Sequence, residues 1–193
     1  MYNKEDIIKQ GVELFRVQGY HNTGISDILK TCDIPKGSFY NYFKSKEGFC
    51  ISALDYYGDS QLEYMRNILM NAGSSPVDRL NVFYTSLIQK YSQEKVLSGC
   101  LIHNISNEAG GLNEGLAEAS NRNFNKWINI LARVVAKGQA VSEIRNDMGA
   151  LEIAEYLHSS FYGMLSRMKA TRNTDNLEDW LRMTIDFITI EPE

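Results

Sequence analysis

Apolar residues recur at intervals of three and four along most of the chain, which is the period of an amphipathic helix. Asn3 can cap a first helix of about four turns, and Gly19 suits a left-handed stop after it. No alternation of strand length between hairpin turns interrupts the pattern. The sequence therefore predicts an all-α fold. The apolar face of the first helix consists of Ile7, Ile8, Val12, Leu14 and Phe15.

Three more helices are predicted in the next 30 residues. Thr23 can cap a short second helix, which ends before Pro35 because proline lacks an amide donor and restricts its predecessor. A third helix begins at Pro35 or Lys36 and closes at Phe43. Ser45 can cap a fourth, long helix.

Residues 71–80 are the clearest break in the remaining chain. Ser75, Pro76 and Asp78 there can supply a cap, a first-turn proline and an N-terminal acid for the next helix. The later helices are predicted at 76–93, 101–109, 112–137, 148–172 and 176–189.

Composition indicates an ordinary globular protein of the cytoplasm. Hydrophobic residues make up 44% and charged residues 23% of the 193 positions, and no run of about 18 apolar residues predicts a membrane span. The N-terminus does not resemble a signal peptide, and three widely spaced cysteines favour reduced thiols. Residues 1–50 carry seven Lys and Arg against six Asp and Glu, whereas the rest carries 13 against 18. Any contact with phosphate is therefore expected at the front end.

The third predicted helix has a small polar outer face. Three short helices, with a tight turn between the last two, are the plan of a helix-turn-helix. Rotation of about 100° per residue puts Phe39 and Phe43 together on the inner side, with Gly37, Ser38 and Asn41 facing outward. Short side chains permit close approach to a DNA major groove, and an asparagine amide can pair with an adenine edge.

The flanks of this helix carry groups suited to phosphate. Tyr40 and Tyr42 can offer hydroxyls, and Lys36 and Lys46 can lie over the DNA backbones that border the groove. Thr23 adds a hydroxyl and backbone amides at the start of the second helix. The alternative is a helical subdomain whose aromatic residues are core and whose lysines are solvated.

The segment "NTGISDILKTCDIPKGSFYNYFKSKEGF", residues 22–49, resembles the signature of the TetR family of one-component transcriptional regulators. It contains T-x-x-x-I, K-G-[ST]-[LF]-Y-x-[HY]-F and S-K-E in that order. The resemblance implies a homodimeric DNA-binding repressor whose two heads occupy successive major grooves of a partly palindromic operator. It implies a helix-turn-helix domain at 1–46, joined by a long helix to an effector-binding and dimerisation domain at 47–193. The positions that match typical DNA contacts are Thr23, Lys36, Gly37, Ser38, Tyr40, Asn41 and Lys46.

Cys100 is a candidate sensor of an unknown small-molecule effector. Ser98 and Gly99 break one helix and put Cys100 at or just before the first turn of the next, where the partial positive charge can lower a thiol pKa. The alternative is a small buried apolar residue. The "SGCL" context resembles a subgroup of the family in which this cysteine responds to electrophiles, with Arg167 as a candidate partner.

A second hypothesis is a reversible apolar ligand held by aromatic residues of the larger domain. At helical spacing such residues are also ordinary core. The residues concerned are Tyr84, Tyr91, Trp127, Phe161, Tyr162 and Met164.

The last two predicted helices carry more apolar residues than they could bury if one side of each helix faced solvent. The resemblance implies the dimer interface there, and the alternative is burial within one chain. The apolar residues are Ala154, Leu157, Phe161, Leu165, Trp180, Leu181, Ile185 and Ile188.

No catalytic motif suggests an enzyme. The patterns GxSxG, HExxH, GxGxxG and GxxxxGK[ST] do not occur, and the C-x-x-H pair at 100–103 lacks two further ligands for zinc. We therefore expect no cofactor or metal and no enzymatic activity. An enzyme and a helical regulator that binds protein instead of DNA remain as alternatives from other classes.

Overall fold

The computed structural model describes residues 3–94 and 96–190. Helices account for most of these residues and no strand occurs among them, so the all-α prediction is confirmed. An isolated antiparallel bridge joins Ile144 to Thr189. No helix in the described ranges is long and apolar enough to cross a membrane. The elements are α1 (Lys4–Gln18), α2 (Ile25–Thr31), α3 (Lys36–Phe43), α4 (Lys46–Leu69), α5 (Pro76–Ser92), α6 (Leu101–Ile105), a π-helical turn (Ser106–Gly110), α7 (Glu114–Ala140), α8 (Ala150–Thr171) and α9 (Asp175–Ile188).

The side chains predicted to cap α1 and α4 make hydrogen bonds at the starts of these helices. The Asn3 side chain accepts a hydrogen bond from the backbone N–H of Glu5 at 3.0 Å, and Ser45 Oγ accepts one from Gly48 at 3.0 Å. These bonds satisfy amides that have no partner within the helix. Gly19 has φ of 79°, but its ψ of 179° is extended and not left-handed helical.

The predicted cap of α2 is wrong by one residue. Gly24 is the N-cap, and its backbone N–H donates to Asp27 Oδ2 at 2.8 Å. Thr23 lies fully buried before it, and its hydroxyl donates to the carbonyl of Gly19 at 2.6 Å. Thr23 therefore joins the loop to the end of α1 and does not cap the helix.

A cluster of four phenylalanines forms the core beneath α3. The ring centroid of Phe49 lies 5.5 Å from that of Phe39, 4.8 Å from that of Phe43 and 5.7 Å from that of Phe15. Gly11 on α1 permits this packing, because a Cβ added there would overlap the ring of Phe49. The cluster fixes α3 and the start of α4 against α1.

The chain packs into two compact units. The first comprises residues 1–61 and 98–124, and the second comprises 62–97 and 125–193. Two of the three unit boundaries therefore fall within α4 and α7, and the third lies between α5 and α6. They group residues by packing, and the functional boundary after residue 46 stays a prediction.

In the second unit, the apolar residues predicted as surplus on α8 and α9 pack inside their own chain. Seven of the eight are buried, and Ile185 is half-buried. Packing within the chain therefore accounts for seven of these residues, while the place of the dimer interface stays a prediction. The large apolar residues that are exposed on these two helices are Leu151, Tyr156, Met183 and Phe187.

Candidate nucleic-acid interface

The turn that leads into α3 holds the helix by buried side chains. Cys32 and Ile34 are each 4% exposed, and Asp33 between them adopts φ of 45°. Aspartate tolerates this region better than most residues because its short side chain can bond locally. Pro35 is the N-cap of α3 without a side-chain bond, and its carbonyl accepts from Phe39 at 3.0 Å.

Helical rotation predicted the two sides of α3 correctly. Phe39 and Phe43 are buried at 0% and 5% exposure. Gly37 and Asn41 are exposed and Ser38 is half-buried. A Cβ added at residue 37 would find no heavy atom within 4 Å, so the fold itself does not require this glycine. The outer face of α3 is open and polar, as a groove-binding surface must be.

Charged and hydroxyl groups stand around this face. Tyr40 is 39% exposed and packs edge-on against Phe39 with ring centroids 5.4 Å apart. Tyr42 is half-buried, and Lys36 at the first residue of the helix is exposed. Lys44 is also exposed, directly after the last residue, with φ of 61°. Lys44 was not among the residues predicted to contact DNA, although its position directly after α3 already indicated that it could reach a phosphate.

Two predicted phosphate contacts are engaged within the protein. Lys46 Nζ donates to the carbonyls of Tyr20 at 2.9 Å and Thr23 at 3.0 Å, and lies 4.1 Å from the centre of the Tyr20 ring. Thr23 has no exposed surface, so in this conformation its hydroxyl cannot reach a phosphate. The burial of Thr23 argues against a contact through its hydroxyl, and the assignments of Thr23, Lys46 and the other candidate residues to DNA stay predictions.

Cys100 is the N-cap of α6, with φ of −82° and ψ of 126°, and Gly99 before it has φ of 70°. The predicted helix break is therefore present. The Cys100 side chain is only 2% exposed. Arg167 is exposed on α8, in the other compact unit, and its pairing with the thiol stays a prediction. Burial raises the pKa of the other two thiols, to about 11 for Cys32 and about 12 for Cys50.

The aromatic residues proposed for a ligand meet in the second unit. Tyr84, Trp127 and Phe161 line a cavity of about 20 Å³, which is room for one water molecule. The Tyr84 hydroxyl is buried without a hydrogen-bond partner among the described residues, and burial raises the pKa of this phenol. Tyr91 is buried 6.4 Å from Phe161, and Tyr162 stacks 6.3 Å from Trp127. The ring of Phe161 also lies 5.1 Å from that of Tyr84.

The described residues contain no group of three or more His, Cys, Asp and Glu side chains arranged to hold a metal ion.

Two family models match the chain. One, described as "Bacterial regulatory proteins, tetR family", matches residues 7–52, and the other, "Tetracyclin repressor-like, C-terminal domain", matches residues 76–184. Together they span the candidate interface and most of the second unit.

The chain is similar over nearly its whole length to transcriptional repressors. It is 29% identical over 183 residues to DhaR of Mycobacterium sp. strain GP1, covering 95% of this chain and 90% of that one. It is 27% identical over 178 residues to NemR of Escherichia coli K12, covering 92% and 89%. These relatives are transcriptional regulators and not enzymes.

Solved structures share the fold. The crystal structure of E. coli NemR in its reduced form superposes with a TM-score of 0.89, at 27% identity and 97% coverage of both chains. The structure of a CifR cysteine mutant in complex with a 26-base-pair double-strand operator superposes with a TM-score of 0.84, at 18% identity and 97% coverage of both chains, which establishes likeness of fold alone.

Proposed function

The chain belongs to the TetR family of bacterial regulatory proteins, and we propose that it is a homodimeric repressor that binds a partly palindromic operator through α3 and is released by a small effector. The observation that carries this proposal is the outer face of α3. Gly37 and Asn41 are exposed there, while Phe39 and Phe43 anchor the opposite side. The protein then acts in the cytoplasm on double-stranded DNA without a cofactor.

Each part of α3 has a separate role in this proposal. Asn41 pairs with a base edge, and the small residues Gly37 and Ser38 let the helix backbone approach the groove. Lys36 and Lys44, exposed at the two ends of α3, lie over phosphates and fix register without reading sequence. The Tyr40 and Tyr42 hydroxyls add phosphate contacts.

Fluorescence anisotropy with a duplex from the DNA beside the protein's own gene tests this function. Affinity should fall steeply as salt rises, because bound lysines release counterions from the DNA. Lys36→Ala should lower the log–log salt slope by about 0.9 for each phosphate that the lysine neutralises, whereas Lys137→Ala, exposed on α7, should leave it unchanged. A flat salt response, or equal affinity for unrelated DNA, contradicts the proposal. The rival function, a regulator that binds protein, predicts no duplex binding at all.

The proposed homodimer uses the exposed apolar face of α8 and α9. Met183 is 62% exposed and Phe187 41%, and the Phe187 ring lies 5.5 Å from that of Tyr156. Sedimentation should give a dimer for the wild type and a monomer for Met183→Glu. Val82→Glu, a matched change at a 55% exposed residue of α5, should remain dimeric. A wild type that sediments as a monomer at micromolar concentration refutes this part.

Cys100 is the proposed sensor of a thiol-reactive electrophile or oxidant, with Arg167 as its proposed partner. Cys100 and α6 belong to the same compact unit as α1, α2 and α3, which supports this assignment. A chemical modification of Cys100 would therefore disturb the unit that contains the helix-turn-helix. Because the side chain is 2% exposed, the reaction requires local opening of the segment.

The thiol proposal is tested by release from operator DNA. Cys100→Ser should bind the operator as wild type does and stay bound when a quinone or aldehyde is added. Cys32→Ser is the matched control, because the Cys32 thiol already donates to the carbonyl of Ile7 at 3.7 Å and a serine can make the same bond. Release of Cys100→Ser at the wild-type reagent concentration excludes this sensor.

The alternative effector is a reversible apolar ligand in the aromatic cavity, and the buried Tyr84 hydroxyl favours it. A ligand with one hydrogen-bond acceptor would satisfy that donor, which otherwise costs free energy. Since the cavity has room for only one water molecule, ligand binding must enlarge it. Tyr84→Phe should then bind operator normally and lose its response to the ligand, whereas an unchanged response removes this alternative.

A further inference from the structure

The loop between α1 and α2 is held by a carboxylate that is distant in sequence. The backbone N–H of Tyr20 donates to Glu108 Oε2 at 2.9 Å, and that of His21 donates to Glu108 Oε1 at 2.7 Å. Both oxygens of one carboxylate are thus bound by consecutive amides. Hydrogen bonds to a charged acceptor are shorter and stronger than neutral ones.

Gly19 is matched to this carboxylate. Its φ of 79° is a conformation that residues with a side chain rarely adopt. A Cβ at this position would lie 2.6 Å from Glu108 Oε2, closer than a Cβ normally comes to any atom. The glycine therefore ends α1 and also leaves the space that Glu108 occupies.

Lys46 holds the same loop from its carbonyl side. Its ammonium group binds the carbonyls of Tyr20 and Thr23, while Glu108 binds amides of the loop. The peptide groups are thereby oriented between a cation and an anion. Because Lys46 is the first residue of α4 and follows α3 closely, the clamped loop is tied to both ends of the helix-turn-helix.

Glu108 lies in the π-helical turn Ser106–Gly110, eight positions after Cys100. Such turns are rare and occur often at functional sites. Two further hydrogen bonds join residues 98–113 to α1 and α4. Arg16 Nη2 on α1 donates to Ser98 Oγ at 2.8 Å, and Asn113 Nδ2 donates to Glu47 Oε2 on α4 at 3.0 Å. These two join side chains, whereas Glu108 reaches the loop backbone directly.

We propose that Glu108 is a positioning residue for operator binding, which sets the α1–α2 loop and through it the orientation of α2 and α3. This inference rests on the proposed DNA-binding function. The expected change in operator affinity also has a distinctive sign. Removing an acidic residue near a polyanion should strengthen binding by general electrostatics, whereas loss of the clamp should weaken operator binding.

The test compares Glu108→Gln with Glu118→Gln, which removes the same charge at an exposed residue of α7 in the same unit. Operator affinity of full-length Glu108→Gln should fall about tenfold or more, with affinity for unrelated duplex unchanged or raised. Glu118→Gln should match wild type or bind slightly tighter to both. Faster hydrogen exchange at the Tyr20 and His21 amides should accompany the weaker operator binding.

Three outcomes separate the alternatives. A Glu108→Gln protein that binds operator as wild type does overturns the inference while the DNA-binding function stands. A lowered melting temperature with unchanged affinity of the folded protein for both duplexes indicates a structural role alone and also overturns it. If wild type binds no duplex, the proposed function itself fails.

A double-mutant cycle checks the contact directly. Gly19→Ala brings a methyl group onto the carboxylate and should also weaken operator binding. In a Glu108→Ala background this substitution should cost less, since the overlap with Oε2 is removed and only the strain at φ of 79° remains. Additive effects of the two substitutions would contradict the proposed clamp.

Discussion

Gly37→Ala should change protein stability and DNA binding in opposite directions. The fold leaves space for the new methyl group, because no heavy atom lies within 4 Å of a Cβ built at residue 37. Alanine in place of a helical glycine stabilises by about 0.5–1 kcal/mol, which for a chain of this size raises the melting temperature by about 1–4 °C. If protein stability were the only constraint on residue 37, alanine would be favoured there over glycine.

The same methyl group points toward the groove in the proposed complex. Overfilling a close-packed contact by one methyl typically costs about 1–3 kcal/mol, or about 5- to 150-fold in affinity for each head. Thermal unfolding and fluorescence anisotropy on one protein preparation measure the two effects together.

Gly111→Ala is the matched control for this experiment. Gly111 has φ of −69° and is also surrounded by open space, but it follows the π-helical turn and is not part of α3. It should show no loss of DNA binding. A Gly37→Ala protein that binds operator as tightly as wild type would refute the close approach of α3 to the groove. A lowered melting temperature would refute the conclusion that the fold has space for a methyl group at residue 37.

Three further changes test the packing. Gly11→Ala should destabilise the fold by about 1–3 kcal/mol in urea unfolding, because the methyl group would overlap the buried Phe49 ring; wild-type stability would contradict this packing. Burial raises the pKa of Cys50 to about 12, so between about pH 9 and 12 the unfolded thiol loses its proton before the folded one does, and unfolding free energy should fall by up to about 1.4 kcal/mol per pH unit. Cys50→Ala should reduce that pH dependence, and an unchanged slope would argue against the buried thiol. Tyr84→Phe should unfold at the wild-type temperature or above it, since the hydroxyl it removes has no partner among the described residues; a destabilisation of more than about 1 kcal/mol would indicate a bond to that hydroxyl.

Local features of the fold could be predicted from the sequence. Apolar periodicity and capping residues act over one or two turns, so they indicated the helices and the breaks at Gly19 and Ser75. Rotation along a single helix also predicted which residues of α3 face inward. The outer face of the candidate site depends on little more than this, which explains why it was accessible to sequence reasoning.

Features that depend on long-range contacts could not be predicted in this way. Glu108 binds amides that lie 87 and 88 positions away, and nothing in its neighbourhood along the chain indicates this. Lys46 and Thr23 match a motif for phosphate contact, yet tertiary packing turns the lysine onto loop carbonyls and buries the threonine. Likewise, periodicity identifies the apolar side of α8 but does not say whether the same chain or a partner covers it.

Hydroxyl-radical footprinting on the DNA beside the protein's own gene tests directly whether a dimer binds a two-fold operator through α3. The wild type should protect two segments related by approximate two-fold symmetry, with centres about 34 Å apart or a multiple of it. Asn41→Ala should abolish this protection at concentrations where wild type gives it in full. No protected segment with the wild type, or protection that Asn41→Ala retains unchanged, would contradict operator binding through α3.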